Sequence, residues 1–280
     1  MKRRKESESA VRPRIDWTAD SPVSDQPAST MAAIDIGSDY SSVWNPSNGS
    51  VSHPSIIAVD TRKAVHAAGL EAILAGARRD NRLVTEKPFA ADLTPDPNTA
   101  EVYLRWLLQE AGFHDLTSVP VFLAMHAESP PDPPLALLLA DLGADPMVIH
   151  RPVAAAIGLD VAAGTASNHL MVELWEDGAE IAVIKGGMVA RAETVYGCGG
   201  DLVESAIVRL LFETDPVAEL EIRESGIHVY GWAAQQKALS LTSAIGLPLA
   251  SPVGSGTTVI EGARLLAESV LPWLAGQSDV

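Results

Sequence analysis

The chain has 280 residues, 47% of them hydrophobic, and its 36 acidic and 20 basic side chains give a formal net charge of −16. This length supports one large domain or two small ones with a real core. The acidic balance argues against a nucleic-acid-binding protein, which would need a basic face. One cysteine, Cys198, excludes an internal disulfide and a cysteine-based zinc site and favours a reducing, cytoplasmic compartment. No apolar run approaches the roughly 20 residues that span a bilayer, and none after the basic start indicates a signal peptide.

The first 30 residues differ from the rest in composition. They are rich in Ser and Pro, and their six basic and five acidic side chains give +1, which leaves −17 on the remaining chain. This composition predicts a disordered tail over residues 1–30. Its basic cluster at residues 2–5 allows two interpretations: contact with an anionic membrane surface, at roughly 1 kcal/mol per basic residue, or a tail that only keeps the protein soluble.

Turn residues and apolar spacing predict an α/β domain over residues 31–165. Helices are indicated by one-sided apolar spacing and strands by short apolar runs between turn residues. The strands are predicted at residues 31–36, 41–44, 55–60, 119–125 and 146–149, the first two forming a hairpin. The helices are predicted at residues 64–77, 99–111, with Thr99 as the cap, 135–142 and 152–159.

A second domain is predicted over residues 166–280, and it opens with an antiparallel meander. Its strands are predicted at residues 169–174, 180–184, 188–195 and 227–230. Its helices are predicted at residues 201–212, with Asp201 as the N-cap, 233–245 and 257–273. Both halves begin with hairpin strands that lead into helices, which indicates a weak internal duplication of α/β type.

Eight short motifs occur along the chain in one order. They are AIDIGS at 33–38, PSIIA at 54–58, AGLEA at 68–72, KP at 87–88 with AD at 91–92, RPVAAAIG at 151–158, EIAVIKGGMV at 180–189, GGD at 199–201 and GIHVYG at 226–231. In that order they resemble the motifs IDLGT, PSVVA, VGEEA, RP…AD, EPMAAAIG, EVAVISLGGIV, GGD and GIVLTGGG of the MreB/Mbl family of bacterial actin-like proteins. Each match is weak alone, and their common order carries the resemblance.

The resemblance implies a fold, a ligand and a site. The fold would be two duplicated, actin-like (ribonuclease-H-like) α/β domains that hold Mg-ATP in the cleft between them. Asp35 would organise the Mg²⁺ ion, and Glu128 is the nearest acid to the position of the family's catalytic residue. The other nucleotide-binding candidates implied by the motifs are Gly37, Ser38, Asp39, Tyr40, Glu173, Gly178, Gly199, Gly200, Asp201 and Gly231.

Several positions depart from the family's pattern where a nucleotide would bind. The second phosphate turn, D-x-G-G-G-T in the family, reads ELWEDG at 173–178, so that Trp175 fills space and Glu176 and Asp177 add negative charge. Each like-charge contact at 4 Å costs on the order of 4 kcal/mol at an effective dielectric constant near 20. The adenosine turn, GGGA in the family, reads GWAA at 231–234.

The segment after the GGD helix is also short. The helix predicted at residues 201–212 is followed by only a dozen or so residues before Gly226. The small subdomain of the second half in this family is therefore expected to be missing.

These departures leave three hypotheses for the function. The first is an MreB-like cytoskeletal protein that shapes the cell and organises wall synthesis, with weak or no ATP hydrolysis, in filaments with itself or a full-length relative. The second is a chaperone-like accessory protein with an actin-like ATPase fold. The third is an active ATPase in spite of the altered turns. Binding of ATP with Mg²⁺ separates the first from the third.

Overall fold

The computed structural model describes residues 31–78, 83–89, 96–130, 133–161, 166–197 and 200–275. The predicted tail at residues 1–30, Cys198 and Gly199 lie outside these residues. In the described part of the chain, no helix is long and apolar enough to cross a membrane.

The first half is built on a five-stranded sheet. Its strands β1, β2 and β3 form an antiparallel meander, and β7 and β8 extend the sheet in parallel on the other side of β1, giving the order β3-β2-β1-β7-β8. A small second sheet has the order β5-β4-β6. The elements are β1 (Ala32–Ile36), β2 (Tyr40–Asn45), β3 (Gly49–Pro54), β4 (Ile57–Val59), β5 (Val65–Ala68), α1 (Gly69–Ala77), β6 (Val84–Glu86), α2 (Pro97–Glu110), β7 (Pro120–Met125), α3 (Pro134–Asp141), β8 (Asp145–His150) and α4 (Arg151–Gly158).

The second half repeats this arrangement with one strand fewer. Its sheet has the order β11-β10-β9-β12, with an antiparallel meander of β9 to β11 and with β12 parallel to β9. The duplicated α/β fold predicted from the sequence is therefore confirmed. The elements are β9 (Asn168–Trp175), β10 (Gly178–Lys185), β11 (Met188–Tyr196), α5 (Gly200–Glu213), α6 (Pro216–Ser225), β12 (Ile227–Tyr230), α7 (Ala234–Ile245) and α8 (Thr258–Ala275).

Most predicted elements are present, but the helix predicted at residues 64–77 is wrong in its first part. Residues 65–68 form β5, and α1 begins only at Gly69, whose φ of +60° suits glycine. A Cβ there would lie 2.6 Å from the Trp106 ring, so the chain turns in a space that has no room for a side chain. The pairing of β5 with β4 overrides the local helical spacing.

Two other helix starts differ from the prediction. Asp96, not Thr99, caps α2, because Asp96 accepts the N–H of Asn98 at 3.3 Å and Pro97 then occupies the first helical position. Helix α5 begins at Gly200, so that Asp201 lies inside the helix.

The short segment after α5 folds as a further helix that was not predicted. Asp215 caps α6 by accepting the N–H groups of Val217 and Ala218, at 3.0 and 3.1 Å. Helices α5 and α6 thus make up the whole connection between β11 and β12 in the described residues. The absence of the small subdomain stays a prediction, in accord with this short connection.

Three apolar clusters form three layers. One lies under α2 and α3 on the outer face of the first sheet, and one lies under α5 and α7 on the outer face of the second. The third lies between the two sheets and joins α4 and α8 to side chains of both, among them Ala33 of β1 and Met171 of β9. Because side chains alternate along a strand, Asp35 and Glu173 share the faces of Ala33 and Met171, which turn toward this middle layer.

Helices α4 and α8 cross at very short range in the middle layer. A Cβ on Gly262 would lie 1.7 Å from the carbonyl oxygen of Ala154, and a Cβ on Gly158 would lie 2.3 Å from that of Thr258. Helix α8 also contacts β1 and β7, so the end of the chain returns to the first sheet. The division into domains at residues 31–165 and 166–280 stays a prediction, and by its contacts α8 packs with the first half.

Replacing Gly262 tests the α4–α8 crossing. Gly262→Ala should lower the free energy of unfolding by about 1–3 kcal/mol, because the added methyl group forces two helix backbones apart. Denaturant unfolding measures the change. Ser269→Ala, at an exposed position of the same helix, is the control and should change stability by less than about 0.5 kcal/mol. Equal stability of the two variants would contradict the close crossing.

Candidate nucleotide cleft

The acids Asp35 and Glu173 lie on equivalent strands of the two sheets. Strands β1 and β9 each begin a meander and each pair with a parallel strand on their other side. Helix α4 contacts β8 of the first sheet and β9 and β10 of the second, and it begins at Arg151. The first residue of α4 therefore points toward the place where the two sheets approach each other.

Arg151 joins the two acids. Its Nε donates to Glu173 Oε2 at 2.9 Å, its Nη2 donates to Glu173 Oε1, and its Nη1 donates to Asp35 Oδ1. Arg151, Asp35 and Glu173 are 5%, 2% and 3% exposed. The guanidinium thus forms a bidentate pair with one half of the molecule and a charge-assisted hydrogen bond with the other.

A second ion pair crosses the cleft beside the first. Glu180, fully buried, accepts the N–H of Ala127 at 2.6 Å, and its Oε2 lies 3.2 Å from Nδ1 of His126. Glu180 also lies directly opposite Glu173 in the β9–β10 pair. Like charges in such positions repel, so Arg151, together with His126 in its protonated form, stabilises this part of the sheet.

Burial and neighbouring charge shift the pKa values of this cluster. Burial raises the pKa of Asp35 to about 6, although Arg151 acts in the opposite direction. Burial disfavours the charge on Arg151, but the carboxylates of Asp35 and Glu173 outweigh it and raise the pKa of the guanidinium well above its usual value. For Glu180, burial is outweighed by His126, which lowers the pKa of the carboxyl, and Glu180 in turn raises the pKa of His126 against the effect of burial.

The turn between β1 and β2 is tied down by protein groups. Gly37 donates its N–H to the carbonyl of Tyr40 at 3.0 Å, and its own carbonyl accepts the Ser55 hydroxyl at 2.6 Å. Asp39 accepts Lys87 Nζ at 2.8 Å and the backbone N–H of Glu176 at 3.2 Å. The first predicted phosphate turn therefore bonds directly to the second.

The turn between β9 and β10 is a two-residue hairpin in which Gly178 faces Trp175. A Cβ on Gly178 would lie 2.5 Å from the indole nitrogen of Trp175 and from the carbonyl oxygen of Val195. Lys237 of α7 donates to the carbonyls of Trp175 and Glu176, at 3.0 and 2.9 Å. This glycine serves close packing against Trp175.

An aromatic pair joins the first phosphate turn to the predicted adenosine turn across the cleft. Tyr40 stacks on Trp232 with ring centroids 3.9 Å apart and an interplanar angle of 18°. Gly231, with φ of +109°, places the turn of Trp232 against β9, where a Cβ would lie 2.4 Å from the carbonyl oxygen of Leu174. The predicted adenosine turn is thus held against the second sheet and covered by an aromatic side chain of the first half.

The remaining described candidates are not bonded to the Arg151 cluster, although Glu128 lines the same cavity. Glu128 occupies an exposed turn after β7, and its Oε2 accepts the N–H of Thr194 at 2.9 Å. Gly200 and Asp201 begin α5, and Asp201 is exposed. None of the cleft contacts described above involves either of them, and Gly199 lies outside the described residues. Ser38 lines the cleft next to Asp39.

Comparison with known proteins assigns the family. A model of the family described as MreB/Mbl protein matches residues 29–218, more than half of the chain. The chain belongs to the MreB/Mbl family. This result confirms the resemblance and favours the MreB-like hypothesis over the chaperone-like one.

Individual relatives agree with the family assignment. The cell shape-determining protein MreB of Haemophilus influenzae is 25% identical over 266 residues, which cover 82% of this chain and 76% of that protein. The crystal structure of MreB 5 of Spiroplasma citri bound to AMPPNP has a TM-score of 0.78 at 14% identity, covering 90% of this chain and all of that one. A MamK double helical filament has a TM-score of 0.50 at 15% identity, covering 72% of this chain and 66% of that one. At these identities, the two structures show the actin-like fold.

The residues of this MreB/Mbl-family cleft do not fit a magnesium-bound nucleotide. Mg²⁺ needs carboxylate or phosphate oxygens that face it in octahedral geometry, but Arg151 already binds both oxygens of Glu173 and one of Asp35. In the first phosphate turn the Gly37 amide donates to the carbonyl of Tyr40, and in the second the Glu176 amide donates to Asp39. A cavity of about 650 Å³ is lined by Arg151, Glu173 and the first phosphate turn, and on its other walls by apolar side chains, among them Phe89, Leu135 and Leu138.

Sequence reasoning found Asp35, Asp39, Tyr40 and Glu173 but missed the residues that neutralise and cover them. Arg151 was placed within a helix motif and given no role, although the family pattern EPMAAAIG begins with glutamate where this chain has arginine. That change of charge was the available signal. The stacking of Trp232 on Tyr40 and the roles of Lys87 and Lys237 depend on turns that local sequence does not bring together.

The His126–Glu180 pair predicts a pH dependence of stability. Because the pKa of His126 is raised in the folded chain, its contribution is fully present below its unfolded pKa of about 6.5 and is lost as pH rises through the folded value. The other charged groups near it are Arg151, Glu173 and Asp35. Wild type should exceed His126→Gln in free energy of unfolding by more at pH 6 than at pH 8, measured by denaturant titration. A difference no larger than that for His114→Gln, an exposed histidine, would contradict the pair.

A double-mutant cycle tests the Tyr40–Trp232 stack. Tyr40→Ala and Trp232→Ala should show a coupling free energy of about 0.5–1.5 kcal/mol, the usual range for an aromatic pair. Denaturant unfolding of wild type, both single variants and the double variant gives this value. Additive effects of the two substitutions would show that the rings do not pair across the cleft in solution.

Proposed function

We propose that this MreB/Mbl-family chain is a cytoskeletal protein of cell shape and wall-synthesis organisation that has no ATP hydrolysis cycle of its own and assembles with a full-length relative. The observation that carries the proposal is the position of Arg151, whose guanidinium binds Asp35 and Glu173 at once. In an actin-like ATPase, the acid that organises the metal must be free to do so. Here that acid, Asp35, is already bonded to the guanidinium of Arg151.

Three further features support the loss of hydrolysis. The acids Glu176 and Asp177 form the hairpin at the second phosphate turn, where another anion would be repelled. The nearest acid to the catalytic position, Glu128, is bonded to the backbone of β11. A stacked Tyr40–Trp232 pair occupies the wall of the cavity next to the predicted adenosine turn.

Similarity to filament-forming and shape-determining relatives supports the cytoskeletal part of the proposal. The relative from Haemophilus influenzae is named for cell shape, and the MamK structure is of a double helical filament. In this chain the apolar faces of both sheets are kept, while the cleft chemistry differs. Self-assembly would be impaired if the small subdomain is missing, so we place the chain in or on filaments of a full-length relative. We also propose a cytoplasmic location, with the basic residues 2–5 available for contact with the membrane surface, and no nucleic-acid partner.

Calorimetric titration of ATP with Mg²⁺ tests the nucleotide part of the proposal. The chain should release no measurable heat of binding, because Arg151 holds the acids that a metal would need. A full-length relative measured in the same buffer is the positive control. A micromolar dissociation constant for this chain would overturn the proposed loss of nucleotide binding.

Co-sedimentation with a full-length relative tests the assembly part. The chain alone should stay in the supernatant, with or without ATP and Mg²⁺, and should pellet when the relative polymerises, with filaments confirmed by electron microscopy. A chain that assembles neither alone nor with the relative would contradict the cytoskeletal proposal.

A further inference from the structure

We propose that Arg151 is an internal cation that replaces a divalent metal between the two halves of the molecule, so that the cleft is held closed without metal or nucleotide. This inference rests on the proposed function and deepens it. It adds that closure of the two halves is a fixed property of the chain instead of a response to a ligand.

The charges in the cleft require a cation at this position. Asp35, Glu173 and Glu180 are all at most 3% exposed, and they come from both halves of the chain. Buried carboxylates without a compensating charge are strongly unfavourable. His126 lies beside Glu180, which leaves Asp35 and Glu173 to Arg151.

The shape of the side chain suits this role. A guanidinium presents donors along two edges of a rigid plane, and Arg151 uses one edge for both oxygens of Glu173 and a nitrogen of the other for Asp35. The same Nη1 also lies 3.4 Å from the carbonyl oxygen of Ile36. The side chain is thus bonded to β1 and β9 at once.

The helix that carries Arg151 is itself fixed in place. Helix α4 packs on α8 at the Gly158 and Gly262 crossing, with no side chain between the backbones. Arg151 is its first residue, and Pro152 fixes the backbone of the first turn. The cation is therefore delivered to the cleft by a rigid element and does not depend on a ligand for its position.

Other contacts across the cleft also join protein to protein. They include the Tyr40–Trp232 stack, the hydrogen bond from the Glu176 N–H to Asp39 and that from the Thr194 N–H to Glu128. Each pairs a residue of the first half with one of the second. The closed arrangement is thus completed by side chains around the buried Arg151 bridge.

Manganese binding to the full-length chain, in the absence of nucleotide, tests the proposal. Electron paramagnetic resonance measures free Mn²⁺, and thermal unfolding in Mn²⁺ or in EDTA reports whether metal stabilises the fold. Wild type should bind no Mn²⁺ and have the same Tm in both buffers. The matched control is Arg264→Met, which removes an arginine paired with Glu261 and Glu268 on α8 and should behave like wild type toward metal.

Two substitutions at Arg151 should create a need for metal. Arg151→Met removes the charge at similar length, and in EDTA it should lower Tm by about 6–15 °C, as expected for a broken buried ion pair in a chain of this size. Arg151→Glu places a third carboxylate beside Asp35 and Glu173. It should bind Mn²⁺ under conditions in which wild type binds none, and near-saturating Mn²⁺ should raise its Tm by about 5–10 °C.

Mn²⁺ binding and the Tm of wild type test the proposal even if these variants do not fold. Binding of Mn²⁺ to wild type with a higher Tm would overturn it, as would an Arg151→Met chain that keeps the wild-type Tm in EDTA. Should Met and Glu variants both fail to fold, Arg151→Lys, which retains the charge, should still fold in EDTA, and its failure would count against the internal cation.

The outcomes separate this inference from the proposed function. If the chain co-sediments with the relative but binds Mn²⁺ without nucleotide, the proposed cytoskeletal function is supported and the internal-cation inference is wrong. If the chain binds no Mn²⁺ and never assembles, the internal-cation inference is supported and the proposed cytoskeletal function is wrong.

Discussion

One buried guanidinium, held between carboxylates from opposite halves of the chain, is the interaction on which the arrangement of the cleft depends. Without Arg151, Asp35 and Glu173 would face each other across a space removed from water, with Glu180 directly opposite Glu173 on the next strand. Such a group of acids is stable only with a cation among them. The chain supplies that cation itself, and the aromatic and turn contacts of the cleft are arranged around it.

The duplicated sheets explain how the acids come to face one another. In each half the strand that begins the meander lies next to a parallel strand, so β1 and β9 occupy equivalent positions. Alternation along both strands sends one set of side chains to an outer core and the other to the layer of α4 and α8. The acids belong to the second set. The fold therefore determines where these acids lie, and Arg151 supplies the positive charge that compensates them.

This chain has the fold of the MreB/Mbl family, while several residues of its cleft depart from the family motifs. The apolar positions that specify both sheets remain, while the turns that approach a nucleotide in an actin-like protein carry Trp175, Trp232 and two extra acids. Function resides in sites that a fold carries, so such a site can change while the fold persists. Here the cleft has become a place where protein groups bind one another.

Strands and helices with strong local signals were predictable from the sequence alone. The meander of β9 to β11 was predictable because alternation and tight turns act within a few residues. The edge strands β3 and β5 pair with the strand just before them but contain few large apolar residues, and β6 pairs with β4 across a longer separation, so their local signals are weak. The order of family motifs also identified the fold and the acids of the cleft. What those acids bind depends on the tertiary structure, because Arg151 lies 116 residues from Asp35 and 22 from Glu173. Contacts at such separations follow from how the two sheets and α4 pack together, and no local pattern encodes them.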